Sequence, residues 1–393
     1  MQFPYARPEI ESADREAVLS VLEGYSYAQG PIIEKLESKL QRLFSVKHAV
    51  VCNSGTAALH MVYNGIGLGQ NAGLITSSVT FLATANAAHM CDAPVGFADV
   101  DPLTGNVTVE TLRAAVNAAT FDVKAIAVVH LGGRPCDITA IKDYSDSIGV
   151  CLIEDACHAP MAQYTNSSGE RFSVGSCAHS NAATLSFHAI KHMTTGEGGV
   201  VLTNDDELAE RARLFRSHGI TRDVSKMDDV DDAGSPWYYE MHQLGYNYRL
   251  SDINCALCLN QVLRLAANIQ RRQQIAELYT AYLCDLDIMR LPETFLANGA
   301  THAWHLFAPA FDFNCIGKPR KQVMAELAEL GVGTQVHYIP LYRQPYYRQD
   351  FSTGMFHGSE TYYKSTLSLP MYSGLTDEDI ETISAFVRSV IAG

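Results

Sequence analysis

The sequence predicts an α/β protein with one large, mostly parallel sheet domain and a smaller α+β domain after it. Two observations predict this. From about residue 50 to 205, short apolar runs alternate with helical patterns, the order of a parallel sheet covered on both faces. After about residue 250 the chain changes to long amphipathic patterns with only occasional strand-like runs. The boundary is placed between a large unit at 1–250, including an N-terminal arm, and a smaller one at 251–393.

The elements follow in order. "HAVVCNS" reads as a strand ending at a turn, and "TAALHMVYNGIG" as a helix closed by glycine. "AGLITSS" is a strand before the helical "TFLATANAAHM". "APVGFADV", "AIAVVHL", "VCLIEDA" and "AATLSF" are further strands, and "DITAIKDYSDSIG" is a helix opened by Asp137 and closed by Gly149. "CALCLNQVLRLAANIQRRQQIAELYTAYLCDL" reads as one long amphipathic helix. "HAWHLFAPAFDF" and "VGTQVHYIP" read as strands, with the helix "KPRKQVMAELAELG" between them and a last helix opened by Thr376 and Asp377. "KMDDVDDAGSP" reads as a solvated loop, either a linker or a lid.

Composition narrows the function. The 393 residues carry a formal net charge of −14, which argues against nucleic acid and anionic membranes as partners. No run of 18 uninterrupted apolar residues and no cationic-then-apolar start occurs. The ten cysteines are scattered, as expected of free thiols in a reducing cytoplasm. Cys255 and Cys258 form a lone CxxC without a second ligand pair, so buried thiols are expected and no metal site.

Lys191 stands out in "SFHAIKHMTTGEGG", a stretch that otherwise reads as interior and tight turn. A lysine amine can bond a carbonyl carbon as a Schiff base. If the carbonyl belongs to pyridoxal 5'-phosphate, the chain must also hold a phosphate, a pyridine nitrogen and the two ring faces. "NSGTAALHM" places Gly55 and Thr56 where a strand meets a helix, a place for a phosphate. "CLIEDACHA" ends an apolar strand with Glu154 and Asp155, and a pyridinium N–H is a fit partner for such a carboxylate. His158 is either a core histidine or a flat cover for the ring. Ser186 can offer a hydroxyl to the phosphate. Thr194, Thr195 and "GEGG" let the chain turn and pair back as "GVVLT".

"NSGTAALH", "EDACHA", "SFHAIKHMTTGEGG" and "LGYNYRLSDI" together resemble the signatures of the DegT/StrS-type sugar-nucleotide aminotransferases, over nearly the whole chain. The resemblance implies the PLP-dependent transferase fold of type I. It implies that Lys191 carries the cofactor and later moves the proton, and that Asp155 bonds the pyridine nitrogen. Gly55, Thr56 and Ser186 would hold the phosphate, with Phe81 on one ring face and His158 on the other. Asn247 would reach the phosphate of the partner subunit's site, which implies a homodimer, and Arg249 would lie close by. Tyr5, Tyr25, Ser26, Tyr27, Ala28, His337 and Tyr338 match positions that line a sugar-nucleotide pocket.

Within the family, "FRSHGITRD", "WYYEMHQLGYNYRLSD" and "TQVHYIPLYRQPYY" resemble the branch that acts in pseudaminic acid biosynthesis. That branch would move the amino group of L-glutamate to C4 of a UDP-4-keto-6-deoxy-N-acetylhexosamine, giving UDP-4-amino-4,6-dideoxy-N-acetyl-β-L-altrosamine. Three places depart from the common pattern: His192 after the lysine, Gln70 to Gly73 in place of "GDEV", and Tyr342 where many relatives have histidine. The last bears on which sugar is used. The alternatives are another 3- or 4-keto nucleotide-sugar aminotransferase, or a PLP-binding regulatory protein without turnover. A dinucleotide-binding dehydrogenase is set aside, because no GxGxxG follows the first strand.

Overall fold

The computed structural model describes residues 2–392 apart from Val230, Asp350 and Ser352. Seven strands build the central sheet: β1 (His48–Cys52), β2 (Gly73–Ser77), β3 (Val95–Ala98), β4 (Val123–Val129), β5 (Cys151–Asp155), β6 (Ala182–Ser186) and β7 (Gly199–Thr203). Their spatial order is β1-β7-β6-β5-β4-β2-β3. β7 is antiparallel to both its neighbours, and the remaining pairs are parallel. The expected mostly parallel sheet is therefore present, and "GVVLT" does pair back beside the lysine strand.

Strand alternation feeds two cores. Ile126 and Val128 enter the first, while Ala125 and Ala127 of the same strand enter the second. The first core is closed by α2 (Pro31–Phe44), α5 (Val109–Ala118) and α6 (Ile138–Ser147), and α1 (Ser12–Leu22) packs outside it on the helix at 252–259. The second is closed by α3 (Gly55–Gly65), α4 (Ala83–His89) and α7 (Asp206–Arg216). β1 lies at the sheet edge, where Val51 gives its N–H to Glu37 and its carbonyl to Arg216. Glu37 and Arg216 also pair with each other at 2.7 Å, so the exposed edge is blunted by a helix–strand–helix tie.

The long helix expected after residue 254 is broken at Asn260 into α8 (Asp252–Leu259) and α9 (Gln261–Leu283). The cause is Gln261, whose amide side chain turns inward. Its Nε2 donates to the carbonyls of Leu257 and Thr194, and its Oε1 accepts the Thr194 N–H. A side chain spent on the lysine loop interrupts the helix ladder. Past the break, α9 runs from the first core at Val262 and Leu265 into a third at Ile275, Tyr279 and Leu283. That third core also holds Phe3, Val323 and Leu327 of α10 (Arg320–Glu329), and Ile383 and Val387 of the last helix, α11 (Asp377–Ala392).

Two other expectations are corrected. Of "HAWHLFAPAFDF", only Ala310–Phe311 is a strand, paired with Met289–Arg290. "VGTQVHYIP" makes two isolated bridges, from Val332 to Phe3 and from Gln335 to Ser368, and no strand. In the first segment the Ala303 and Leu306 amides go to Gly133 and Gly132 instead of to a strand, and in the second the Gly333 and Gln335 amides go to two different partners, Phe3 and Ser368. The loop at 226–236 is mostly exposed and is fastened where the amides of Asp228 and Asp229 donate to Glu240; Val230 lies outside the described residues. All ten cysteines are free, with Cys255 and Cys258 buried. Among the described residues no helix is long and apolar enough to cross a membrane.

Asp252 joins the arm to α8. Its carboxylate accepts the N–H groups of Gly30 (2.8 Å) and Ile32 (3.0 Å), capping α2 from 220 residues away, and its own N–H goes to Tyr27 O. Asp252→Ala strands two donors, so urea unfolding should lose ~2–3 kcal/mol. An unchanged midpoint and slope would show that the arm is held by other contacts.

Candidate active site

The parallel strands carry their loops to one edge of the sheet, where a cavity of 630 Å³ opens. Ser54, Gly55 and Thr56 line it after β1, and Phe81 after β2. Asp155 and His158 line it at the end of β5, and Ser186 and Lys191 at and beyond the end of β6. Tyr5 from the arm and Gln335, His337 and Tyr338 from the C-terminal segment complete the wall.

The β1–α3 junction is a place for an anion. Ser54 Oγ accepts the Ala57 N–H at 3.0 Å, which opens α3. The first-turn N–H groups of Gly55 and Thr56 have no partner within the helix ladder, and the helix dipole adds to them. A Cβ on Gly55 would meet Ser186 Cβ at 3.0 Å. The missing side chain is therefore what lets α3 start against the end of β6, with the Ser186 hydroxyl alongside.

Two adjacent acids end β5, and strand alternation separates them. Glu154 points away from the cavity, accepting hydrogen bonds from His130 Nε2 (3.0 Å) and Ser180 Oγ (2.5 Å). Asp155 faces the cavity. Its Oδ2 accepts the Thr84 hydroxyl at 2.7 Å and its Oδ1 the Cys157 N–H at 3.2 Å. Thr84 is itself placed by α4, whose Thr84 carbonyl accepts the Tyr63 hydroxyl at 3.1 Å.

Lys191 sits on a closed turn. Its N–H donates to His188 O, and the Thr195 N–H and Thr194 hydroxyl return to Phe187 O. Burial lowers its amine below the usual lysine range, against the raising influence of Cys157 and Asp155. Five buried histidines lie around this turn: His158, His192, His302, His305 and His337. Burial lowers all five, and the Lys191 charge pushes His158, His305 and His337 further the same way. Arg272 does so for His192 and Arg134 for His302.

The structure of one chain thus brings together Gly55, Thr56, Phe81, Asp155, His158, Ser186, Lys191, Tyr5, His337 and Tyr338. It does not bring in the other expected residues. Tyr25, Ser26, Tyr27 and Ala28 are exposed, outside the wall, with Ala28 bridged to Ser251. Asn247 is exposed and Arg249 half-buried, also outside it. Tyr342 also lies outside the wall: it is buried, stacks on Phe356 at 4.3 Å and donates to Glu360 at 2.9 Å. Leu341 and Gln344 line the wall in its place. Sequence reading missed Thr84, which follows β2 in the same run as Phe81, and His305, hidden in a segment read as a strand.

Known proteins resemble this chain over nearly its whole length. The sequence profile of the DegT/DnrJ/EryC1/StrS aminotransferase family matches residues 8–388. The spore coat polysaccharide biosynthesis protein SpsC of Bacillus subtilis is 35% identical over 393 residues, covering 99% of this chain and 97% of SpsC. The structure of Helicobacter pylori PseC, an aminotransferase involved in the biosynthesis of pseudoaminic acid, superimposes with a TM-score of 0.89 at 29% identity, covering 100% of both chains. TlmJ, an aminotransferase from Streptoalloteichus hindustanus, gives 0.87 at 28% identity over 99% of each.

The neutral histidines carry a pH consequence. In the folded chain they stay neutral, His302 and His337 down to about 3. In the unfolded chain they take a proton below about 6.5. The unfolded state then binds more protons, so stability present above that pH is lost as pH falls through it towards 3. Urea unfolding should weaken by up to ~1.4 kcal/mol per histidine per pH unit below 6. A stability that is level from pH 7 to 4.5 would contradict this.

Proposed function

This chain belongs to the DegT/DnrJ/EryC1/StrS aminotransferase family, and on that premise we propose that it aminates C4 of a UDP-linked 4-keto-6-deoxy-N-acetylhexosamine, with L-glutamate as amino donor. The product would be UDP-4-amino-4,6-dideoxy-N-acetyl-β-L-altrosamine, on the way to pseudaminic acid. The observation that carries the reading is the meeting of Lys191, Asp155 and the Gly55–Thr56 helix start in one cavity. The likeness to PseC supports the choice of sugar.

Aminotransferases of this family use pyridoxal 5'-phosphate, and the residues present fit it. The α3 start and Ser186 offer donors for its phosphate, in a cradle that a Cβ at Gly55 would fill. Asp155 is 6% exposed and turned into the cavity, where it would accept the ring N–H. Phe81 and His158 are flat groups on the wall, suited to the two ring faces. When bound, the cofactor supplies an aldehyde for the amino group and a ring that takes up charge developing at the substrate carbon.

The chain supplies the rest. Lys191 Nζ takes the proton from the α-carbon of glutamate and, in the second half of the cycle, delivers one to C4 of the sugar. Its lowered pKa keeps a larger share of the amine free to do so. The neutral histidines add no competing positive charge beside it.

We place the sugar against Tyr5, His337 and Tyr338. Among the described residues the wall contains no arginine, and Lys191 is its single lysine. A diphosphate and an α-carboxylate need more cationic partners than this. In our reading a second copy of the chain supplies Asn247 and Arg249, and the exposed 25–28 segment meets the nucleotide. The likeness to SpsC favours a second reading, amination of a different nucleotide-linked keto sugar destined for a surface polysaccharide.

Borohydride reduction should fix the cofactor on the peptide containing Lys191, read by mass mapping. Lys191→Ala should lose on the order of 10²–10⁴-fold in turnover, and full activity would remove the proposal. Asp155→Asn should retain cofactor and lose most of the rate; a wild-type rate would contradict the role of Asp155. A panel of UDP- and dTDP-keto sugars, with the aminated carbon located by NMR, separates the two sugar readings.

A further inference from the structure

His305 stands beside Lys191 without lining the cavity. Its Nε2 is 3.4 Å from Lys191 Nζ, and the residue is 4% exposed. Its other ring nitrogen, Nδ1, is buried with no hydrogen-bond partner. This decides the tautomer. A proton on Nδ1 would be a buried N–H without an acceptor, which folded proteins rarely keep. The ring is neutral, since burial holds it well below the usual histidine range. The single proton therefore sits on Nε2, where the lysine amine is the acceptor.

The backbone carrying His305 is held firmly. Ala303 and Leu306 donate to the carbonyls of Gly133 (2.9 Å) and Gly132 (3.0 Å). Gly133 has φ +106, and a Cβ there would meet Trp304 N at 2.7 Å and His305 N at 3.0 Å, so a side chain would push this segment away. Arg272 Nη1 holds the Trp304 carbonyl at 2.9 Å. The His158 ring rests on the His305 ring with centroids 4.2 Å apart.

We propose that His305 is a positioning residue for Lys191: its Nε2–H donates to the free amine and fixes where Nζ stands while that amine is unbound. The inference rests on the reading of Lys191 as the proton-moving amine and extends it. Other groups act on this pair. Asp155 and Cys157, from the end of β5, favour the ammonium form of Lys191. Burial keeps His305 neutral, and the Arg272 charge acts the same way, while the neighbouring His158 and His192 are themselves neutral. His337, on the C-terminal segment, is likewise kept neutral, by burial and the Lys191 charge. A donor aimed at the lone pair opposes the two β5 groups and favours the neutral amine, the form a base requires.

The test compares His305→Phe, which has no donor, with His305→Gln, which keeps an N–H, in the cofactor-loaded full chain. In single turnovers with glutamate, His305→Phe should be about tenfold slower at neutral pH, with half-saturation by glutamate unchanged. The acidic limb of its rate–pH profile should lie about one pH unit higher, because removing the donor raises the lysine pKa. His305→Gln should recover most of both. In the cofactor-free full chain, competitive acetylation of Lys191 across pH, read by peptide mass, should show the same order. A folded His305→Phe with an unmoved limb and unmoved acetylation profile overturns the inference. If His305→Phe does not fold, His305→Gln decides with wild type: a wild-type Lys191 that acetylates like an exposed lysine, or a His305→Gln without activity or shifted as a donor-free site would be, overturns it equally. Borohydride fixation on Lys191 is scored separately, so failure of the underlying reading is told apart from failure of this one.

Discussion

A primary amine held half-buried in the wall of a cavity is the constraint on which the rest of this structure depends. Lys191 cannot stay there as an ordinary surface lysine, and burial lowers its pKa. Asp155 and Cys157 pull the other way. Everything close to the amine has to be arranged so that neither influence wins outright. The surrounding histidines are kept neutral, and the carboxylate is held in place by Thr84 and the Cys157 amide.

The sheet makes that arrangement possible. Because β2 to β6 run parallel, their ends deliver loops to one edge, and residues far apart in the chain meet there. β7 is the exception that the lysine turn requires: Lys191 stands on the connection from β6 back to β7. Gln261 then binds both main-chain groups of Thr194 in that connection, at the cost of breaking a helix. The site is thus fastened from the large core on one side and from the third core, through α9 and Arg272, on the other.

The same geometry explains why one chain looks unfinished. The cavity wall carries acid, hydroxyl and imidazole groups but no arginine among the described residues. The segments at 25–28 and 237–246 meanwhile expose Tyr25, Tyr27, Trp237, Met241 and Leu244 to solvent. Apolar exposure on this scale is a feature of surfaces that meet a partner, and a second copy is the partner we propose.

Much of this was legible in the residues themselves. Alternating apolar and helical runs determined the parallel sheet, because buried strands and amphipathic helices have different periods. The strand-end motifs around Gly55, Asp155 and Lys191 were legible because their chemistry is local: a helix start, a carboxylate, an amine on a tight turn. Only the tertiary structure decided which of Glu154 and Asp155 faces the cavity, since that depends on which core each strand face meets. It also decided that Tyr342 is a core residue and that α8 and α9 separate at Asn260. His305 came to light only in three dimensions. Its role depends on a contact across 114 residues and on glycines at 132 and 133 that accept its segment's amides, and no period along the chain encodes a contact of that kind.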